Sequence, residues 1–519
     1  MENKNHSPHS ANCNVYSMQV LFIAEEERAA FSVYSLHFVD RPVYQEQSNK
    51  YAAMNILIKL VILPAIVSIG GIIYLQSRTV QIPEYENTWW GPGIENHNVD
   101  KSIKPFKIDW NDKDIEDLKN RLNRTRDLVP HLEGAGWTYG MSGNFLKETI
   151  LPYWMNKYDF KSRLTHINKF PLFSTNIQGL NIRFVHVKPK NTNGKRVLPL
   201  IILHGWPGSI TEFQKVIPLL TTPRDDQDFV FEVIAPCLPG FGFSDGAVRP
   251  GLGAPQIAVV LKNLMLRLGF EKYYIHGGDW GAIITAMMSS LFPAHVLGMH
   301  STMCIATSPK VLLKVMFYSF FPSLLLAEED YHWFYPMSER FGQILYFTGY
   351  LHLQATRPDS LGVGMADSPA ALASYVLEKF SEATKRGSIF KDDGGLFDKF
   401  TPEELIDNLM MYWIPNKMTT AMRIYAESFN KKNNAWAQQW PVEIPSSCAQ
   451  FPHEISWYPR EFLQERFLNL VLVTRMPRGG HFATLEEPEL AANDIHKFVG
   501  IVEGQRMAFA QKSAMKTDL

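Results

Sequence analysis

A short stretch, Ile275-His-Gly-Gly-Asp279-Trp-Gly-Ala282, carries the strongest chemical signal in the chain. An apolar run enters a small-x-acid-x-small turn and a helix-forming run leaves it, which sets Asp279 on a sharp strand-to-helix elbow. Hydrolytic enzymes commonly hold a serine nucleophile in that position. Gly277 and Gly281 allow the backbone to close around a strained residue, and the amides and dipole of the following helix favour a carboxylate there. An ordinary N-cap aspartate would read the same in isolation. A nucleophilic carboxylate, however, attacks carbon and leaves an ester, so it needs a base for water, an acid to orient that base, and donors for an oxyanion.

Candidates for each role occur further along the chain. His481, in Arg478-Gly-Gly-His-Phe, follows the last apolar run, and a histidine with a pKa near 6.5 can deprotonate water at neutral pH. Glu454, in Phe451-Pro-His-Glu, lies just before that run and is the candidate acid. The backbone amides of Trp206, in His204-Gly-Trp-Pro-Gly-Ser209, and of Trp280 are the candidate oxyanion donors. Gly242-Phe-Ser-Asp-Gly246 matches the serine-hydrolase pattern literally, but proline and glycine surround it and no helix follows directly, so it reads as a loop. No HExxH, clustered Cys/His spacing, P-loop or GxGxxG after a strand is present. The chemistry therefore needs neither metal nor cofactor.

The elements around these residues fix a fold class. Leu180 to Val187 alternates like a strand, and Val197 to Leu203 is a continuous apolar run like a central one. Phe229 to Ala235, Tyr273 to Ile275, Val296 to His300 and Phe467 to Val473 read as further strands. Gln256 to Leu268, Gly281 to Phe292 and Pro488 to Val499 read as helices between or after them. This alternation specifies an α/β protein with a mostly parallel sheet, here the α/β-hydrolase fold. The rhythm breaks from 307 to 439, a span rich in Phe, Tyr, Trp and Pro, which reads as an inserted helical lid. Asp109 to Arg126 is an amphipathic helix, and Glu84 to Gly93 a fixed loop. The boundaries that follow are 77–165 for a segment packed on the core, 166–306 and 440–500 for the two core parts, and 501–519 for a tail.

Composition sets outer limits. The chain has 519 residues, and its 51 Lys and Arg nearly cancel 52 Asp and Glu without a basic block, so nucleic acid is not an expected partner. Cys13, Cys237, Cys304 and Cys448 are few and widely spaced, and read as reduced residues. Ile56 to Leu75 is almost wholly apolar, and twenty helical residues span about 30 Å, the thickness of the bilayer hydrocarbon. Residues 54–76 are thus expected to be a retained signal anchor. Residues 1–53 have no sustained period and precede Met54, which reads like a natural start; they are expected to be an extension from an alternative start or a gene-model artefact.

The motifs together resemble those of the microsomal epoxide hydrolase family, most closely its insect juvenile hormone branch. The resemblance runs from about Asn55 to the C-terminus and rests on the apolar anchor, Trp89-Trp-Gly-Pro-Gly93, Gly205-Trp-Pro-Gly-Ser209, Gly277-Gly-Asp-Trp-Gly281, Arg478-Gly-Gly-His481 and Glu486-Glu-Pro-Glu-Leu490. It implies two lid tyrosines that hold the epoxide oxygen, matching Tyr350 in Thr348-Gly-Tyr-Leu and Tyr425 in Arg423-Ile-Tyr-Ala. It implies hydrolysis of a lipophilic epoxide, juvenile hormone or a range of foreign compounds, through an ester on Asp279. It also implies residence in the endoplasmic reticulum membrane, single-pass, with the catalytic part on the cytosolic side; the sequon Asn123-Arg-Thr125 is a counter-hint. A haloalkane dehalogenase and a non-catalytic lipid-binding protein are the alternative readings.

Overall fold

The computed structural model describes residues 71, 81–95, 98–333, 335–385, 387–429 and 437–517. The expected extension lies outside them, as does the expected anchor except Gly71. Among the described residues no helix is long and apolar enough to cross a membrane.

The strands are β1 (Lys104–Phe106), β2 (Leu172–Ile177), β3 (Leu180–Val187), β4 (Arg196–Leu203), β5 (Phe229–Pro236), β6 (Tyr273–Gly277), β7 (Val296–Ser301), β8 (Ser446–Gln450) and β9 (Leu470–Arg475). They form one sheet in the order β1-β2-β3-β5-β4-β6-β7-β8-β9. The first three strands and the β3–β5 pair are antiparallel, and from β5 to β9 every neighbour is parallel. Burial explains the patterns: β3 alternates buried and partly exposed positions along its first residues, whereas Leu200, Ile201, Ile202 and Leu203 of β4 are all buried. β4 lies between β5 and β6, so helices cover both of its faces and each of those side chains contributes about 1.5–3 kcal/mol of burial.

The predicted strands and helices all form, with shifted ends. β1, β2 and β8 were not expected. β2 pairs with β3 through a two-residue turn at Gln178 and Gly179, both with positive φ, a hairpin whose first arm has no clean alternation in sequence. β8, Ser-Ser-Cys-Ala-Gln, is too polar to announce a buried strand, yet four of its five residues are buried between β7 and β9. The last helix runs Pro488–Thr517 rather than ending at Val499; Gly500 and Gly504 do not break it, because good helix formers follow them.

Between β7 and β8 the chain forms a series of helices that includes Gly349–Thr356, Pro369–Thr384, Pro402–Trp413 and Met418–Phe429. Proline at the first turn and Ser or Thr at the N-cap start two of these, Pro369–Thr384 and Pro402–Trp413. This is the expected lid, and it caps the C-terminal ends of the parallel strands. The segment before β2 is tied to it by a buried pair: Arg163 and Tyr158 both donate to Asp407 on Pro402–Trp413.

The cysteine reading is corrected. Cys304 and Cys448 are disulfide-bonded across 144 residues of sequence. Cys304 lies three residues past β7, and Cys448 pairs in register with Ser301 on the adjacent β8, so the sheet supplies a proximity that the spacing conceals. Cys237 is free and buried.

Candidate active site

β6 ends at Gly277 and the helix Asp279–Leu291 begins two residues later. Asp279 takes a φ of +48°, a left-handed conformation costing a non-glycine residue about 1–3 kcal/mol. Its neighbours make that turn possible. A Cβ on Gly277 would overlap the backbone of Gly281, and a Cβ on Gly281 would overlap the Leu203 carbonyl. The elbow lifts the Asp279 carboxylate from the sheet edge toward the lid.

Asp279 Oδ1 accepts the Trp206 backbone N–H at 2.7 Å, and its Oδ2 lies 3.4 Å from His481 Nε2. On the far side of the ring, Nδ1 is 2.6 Å from Glu454 Oε1. The three side chains are 15%, 5% and 2% exposed for Asp279, His481 and Glu454. At such burial a charge–charge contact is weakly screened. Burial opposes a charged imidazole, but the carboxylates of Glu454 and Asp279 outweigh it and raise the pKa of His481 well above its usual value.

Oxyanion donation is half visible. The Trp206 amide points at Asp279, and Trp280 occupies the first helical turn, where amides have no carbonyl of their own helix to bond. The lid fixes the Trp206 loop: Asn408 Nδ2 donates to the Pro207 carbonyl at 2.7 Å, and the Tyr412 hydroxyl to the Gly208 carbonyl at 2.6 Å. Gly242 to Gly246 is a loop as expected. The Ser244 hydroxyl is spent on the Cys237 carbonyl at 2.8 Å.

Tyr350, the second residue of Gly349–Thr356, stacks on Trp206 with ring centroids 5.4 Å apart. Tyr425, on Met418–Phe429, meets Trp280 edge-on at 4.8 Å. The two tyrosine rings are 6.1 Å apart, above the carboxylate. Burial, with the charge of Asp279 nearby, raises both phenols above their usual pKa and keeps them as donors. The two hydroxyls interact with each other, Tyr425 toward Tyr350, so both phenol oxygens point into the same small space. A cavity of about 560 Å³ opens above the site, lined in part by Trp206, Ile344, Tyr350, Leu351, Phe390 and His481. All seven expected site residues thus converge.

Two carboxyls beside the site were missed. Glu486 Oε2 and Oε1 accept the N–H groups of Gly480 and Phe482, each at 2.9 Å, and so clamp the backbone on both sides of His481. Burial carries its pKa up to about 8 against those two bonds. Its position five residues after His481 was the available signal, masked by its place in an acidic tail motif. The second is Glu212, in the turn after the Trp206 loop. Among the described residues no group of three or more His, Cys, Asp or Glu side chains is placed to hold a metal ion.

Comparison with known proteins agrees with this geometry. Residues 103–213 match the family model "Epoxide hydrolase N terminus" and residues 199–375 match "alpha/beta hydrolase fold". Juvenile hormone epoxide hydrolase 1 of Ctenocephalides felis is 47% identical over 439 residues, covering 84% of this chain and 94% of the relative. Epoxide hydrolase 1 of Oryctolagus cuniculus is 42% identical, covering 81% and 94%. The crystal structure of juvenile hormone epoxide hydrolase from the silkworm Bombyx mori superposes with a TM-score of 0.79 at 43% identity, covering 81% of this chain and 99% of that one. A carboxylate elbow under two tyrosines, with this degree of relatedness over nearly the full length of the relatives, places the chain in the epoxide hydrolase family of the α/β-hydrolase fold.

Proposed function

We propose that the enzyme converts lipophilic epoxides, juvenile hormone among them, to vicinal diols in two steps. The observation that carries this reading is the Asp279 carboxylate, held by the Trp206 amide and His481 beneath Tyr350 and Tyr425. Asp279 attacks an epoxide carbon, the ring C–O bond breaks, and a tyrosine protonates the departing alkoxide. A glycol ester remains on Asp279.

Esterification then changes His481. One of the two carboxylates holding its proton has become neutral, so its pKa falls. The proton it loses balances the one the tyrosine gave up. Neutral His481, oriented by Glu454, takes a proton from water as the oxygen attacks the ester carbonyl, and the Trp206 and Trp280 amides hold the tetrahedral oxyanion. Collapse breaks the ester C–O bond, the imidazolium gives its proton to the diol oxygen, and the remaining water proton passes from the new Asp279 carboxyl to His481, restoring the carboxylate and the charged ring.

The aromatic cavity suits an apolar substrate. An anchor at 54–76 in the endoplasmic reticulum membrane would bring the cavity to where such compounds dissolve. The family resemblance favours a catalytic part on the cytosolic face, while the Cys304–Cys448 bridge weighs the other way, because cytosolic thiols are kept reduced. A mass shift on endoglycosidase treatment would overturn the cytosolic placement.

The activity test is diol formation from a styrene-type epoxide and from juvenile hormone, with a chloroalkane in parallel. Diol from the epoxides without halide release is expected. Halide release instead would make the protein a dehalogenase, and no turnover of any of the three would make it a binding protein.

A further inference from the structure

Four carboxyl groups surround His481, and the two-step scheme uses only Asp279 and Glu454. Glu486 is engaged by backbone. Glu212 is left over. It sits in the short helical turn Ile210–Phe213, which touches the turn Ala483–Glu486 behind His481. Its side chain folds back over its own loop: a Cβ on Gly208 would collide with Glu212 Oε1. Glycine at 208 therefore makes the seat that points this carboxyl inward, where it interacts electrostatically with Asp279, His481, Glu486 and Tyr412.

Along Ile201–Gln214 every residue is buried except Glu212, which keeps accessible surface. Burial is the largest cause of its pKa being raised to about 8, and the close approach of its Oε1 to Gly208 shows that the carboxyl is folded onto the loop rather than extended from it. The Ser209 amide is its backbone partner, and among the described residues it forms no ion pair. An interior polar site with an open hydrogen-bonding edge has the character that holds a water molecule. It does not border the substrate cavity, whose lining includes Trp206, Pro207 and His481 but not Glu212.

We propose that the Glu212 carboxyl holds the hydrolytic water beside His481 and Asp279. The proposal rests on the covalent two-step reading and deepens its second half. One O–H of the water donates its proton to His481 Nε2, the other hydrogen-bonds to the Glu212 carbonyl oxygen, and the water oxygen attacks Cγ of the Asp279 ester. Glu212 itself gains and loses no proton. Fixing the nucleophile in this way lowers the entropic part of the hydrolytic barrier and leaves the attack on the epoxide untouched.

The test resolves the two steps by single-turnover fluorescence, since Trp206 and Trp280 flank the reacting carboxylate, and by the mass of the Asp279 peptide. In E212A ester formation should stay within about threefold of wild type while ester hydrolysis slows about 10²-fold, a loss typical of a misplaced reacting group. E212Q keeps the carbonyl acceptor and should restore most of the hydrolytic rate. Should E212A fail to fold, E212D draws the carboxyl back by one methylene and should slow hydrolysis relative to ester formation. Wild-type hydrolysis in E212A, an unchanged ratio of the two steps in E212D, or equal slowing of both steps would overturn the proposal. An H481Q control separates the failures. If no Asp279 ester forms there, the covalent scheme falls and this role with it; if the ester forms and E212A hydrolyses normally, only the role of Glu212 falls.

Discussion

The side chain that Gly205 lacks would stand where the Asp279 carboxylate stands: a Cβ at 205 would overlap Asp279 Oδ1, Cβ and Cγ. The nucleophile and the loop that stabilises its oxyanion are packed against each other with no slack. Gly205→Ala should therefore displace Asp279 or withdraw the Trp206 amide. A displacement of about 1 Å in such a site costs on the order of 10² in rate. Steady-state kcat/KM should fall by at least that factor, and a variant with wild-type kinetics would show that the carboxylate position is not limiting.

Tyr350 and Tyr425 reach the site from different lid helices, one stacked on Trp206 and one edge-on to Trp280. Replacing either by Phe keeps the ring packing and removes a donor to the epoxide oxygen. Ester formation should slow by about 10², more than hydrolysis of ester already formed. Wild-type turnover in the double Phe variant would return both positions to packing.

Glu486 makes a separate prediction, because its two bonds hold His481 through the backbone. Glu486→Ala leaves two buried N–H groups unpaired, a cost of about 1–3 kcal/mol each at most. Thermal stability should fall, and ester hydrolysis should slow more than ester formation, since only the base is loosened. Glu486→Gln keeps one acceptor and should fall between. If Glu486→Ala changed both steps equally, Glu486 would be a structural residue only.

The fate of particular residues shows how far the sequence reaches. Asp279, His481 and Glu454 were legible because elbow, base and acid each occupy a fixed slot between strand and helix, and the strand pattern reveals the slots. Tyr350 and Tyr425 were not legible from pattern: they are two of twenty tyrosines, and only the motif resemblance selected them. Glu212 and Glu486 look like surface acids in sequence and become site residues only when the turns carrying them meet. Cys304, just past β7, and Cys448, on the adjacent β8, met for the same reason across 144 residues of sequence. Local pattern reports elements; contacts between distant elements depend on strand order, which no short window contains.

The Arg163–Asp407–Tyr158 cluster is a buried polar tie between the segment before β2 and the lid. Asp407 is 3% exposed. Asp407→Ala removes the partner of a mostly buried guanidinium, a loss of about 3–5 kcal/mol when a buried charge is stranded. The denaturation midpoint should drop accordingly, and removing Arg163 as well should recover part of the loss. Independent, additive effects of the two changes would show that the pair is not coupled.

His481 gives the prediction that separates mechanisms. Its ring bridges Glu454 and Asp279, and its charge in the resting enzyme is sustained by both. His481→Gln removes the base for water, an effect of about 10² to 10⁴, while Asp279 keeps its Trp206 amide and the tyrosines above it. The ester should therefore accumulate. Digestion after incubation with a lipophilic epoxide should yield one peptide containing Asp279 heavier by the whole epoxide, because ring opening expels no leaving group. The pH response of the wild type follows from the same ring. A raised folded-state pKa means that the bridged, charged histidine stabilises the fold below the unfolded value near 6.5, and that this contribution is lost as pH rises through the folded value. The Gln variant should lack that loss, which thermal melts across alkaline pH would register. In the competing route His481 activates water against the epoxide directly and Asp279 supplies only charge. That route predicts no adduct, so an unmodified Asp279 peptide from folded variant shown to bind the epoxide would overturn the covalent mechanism.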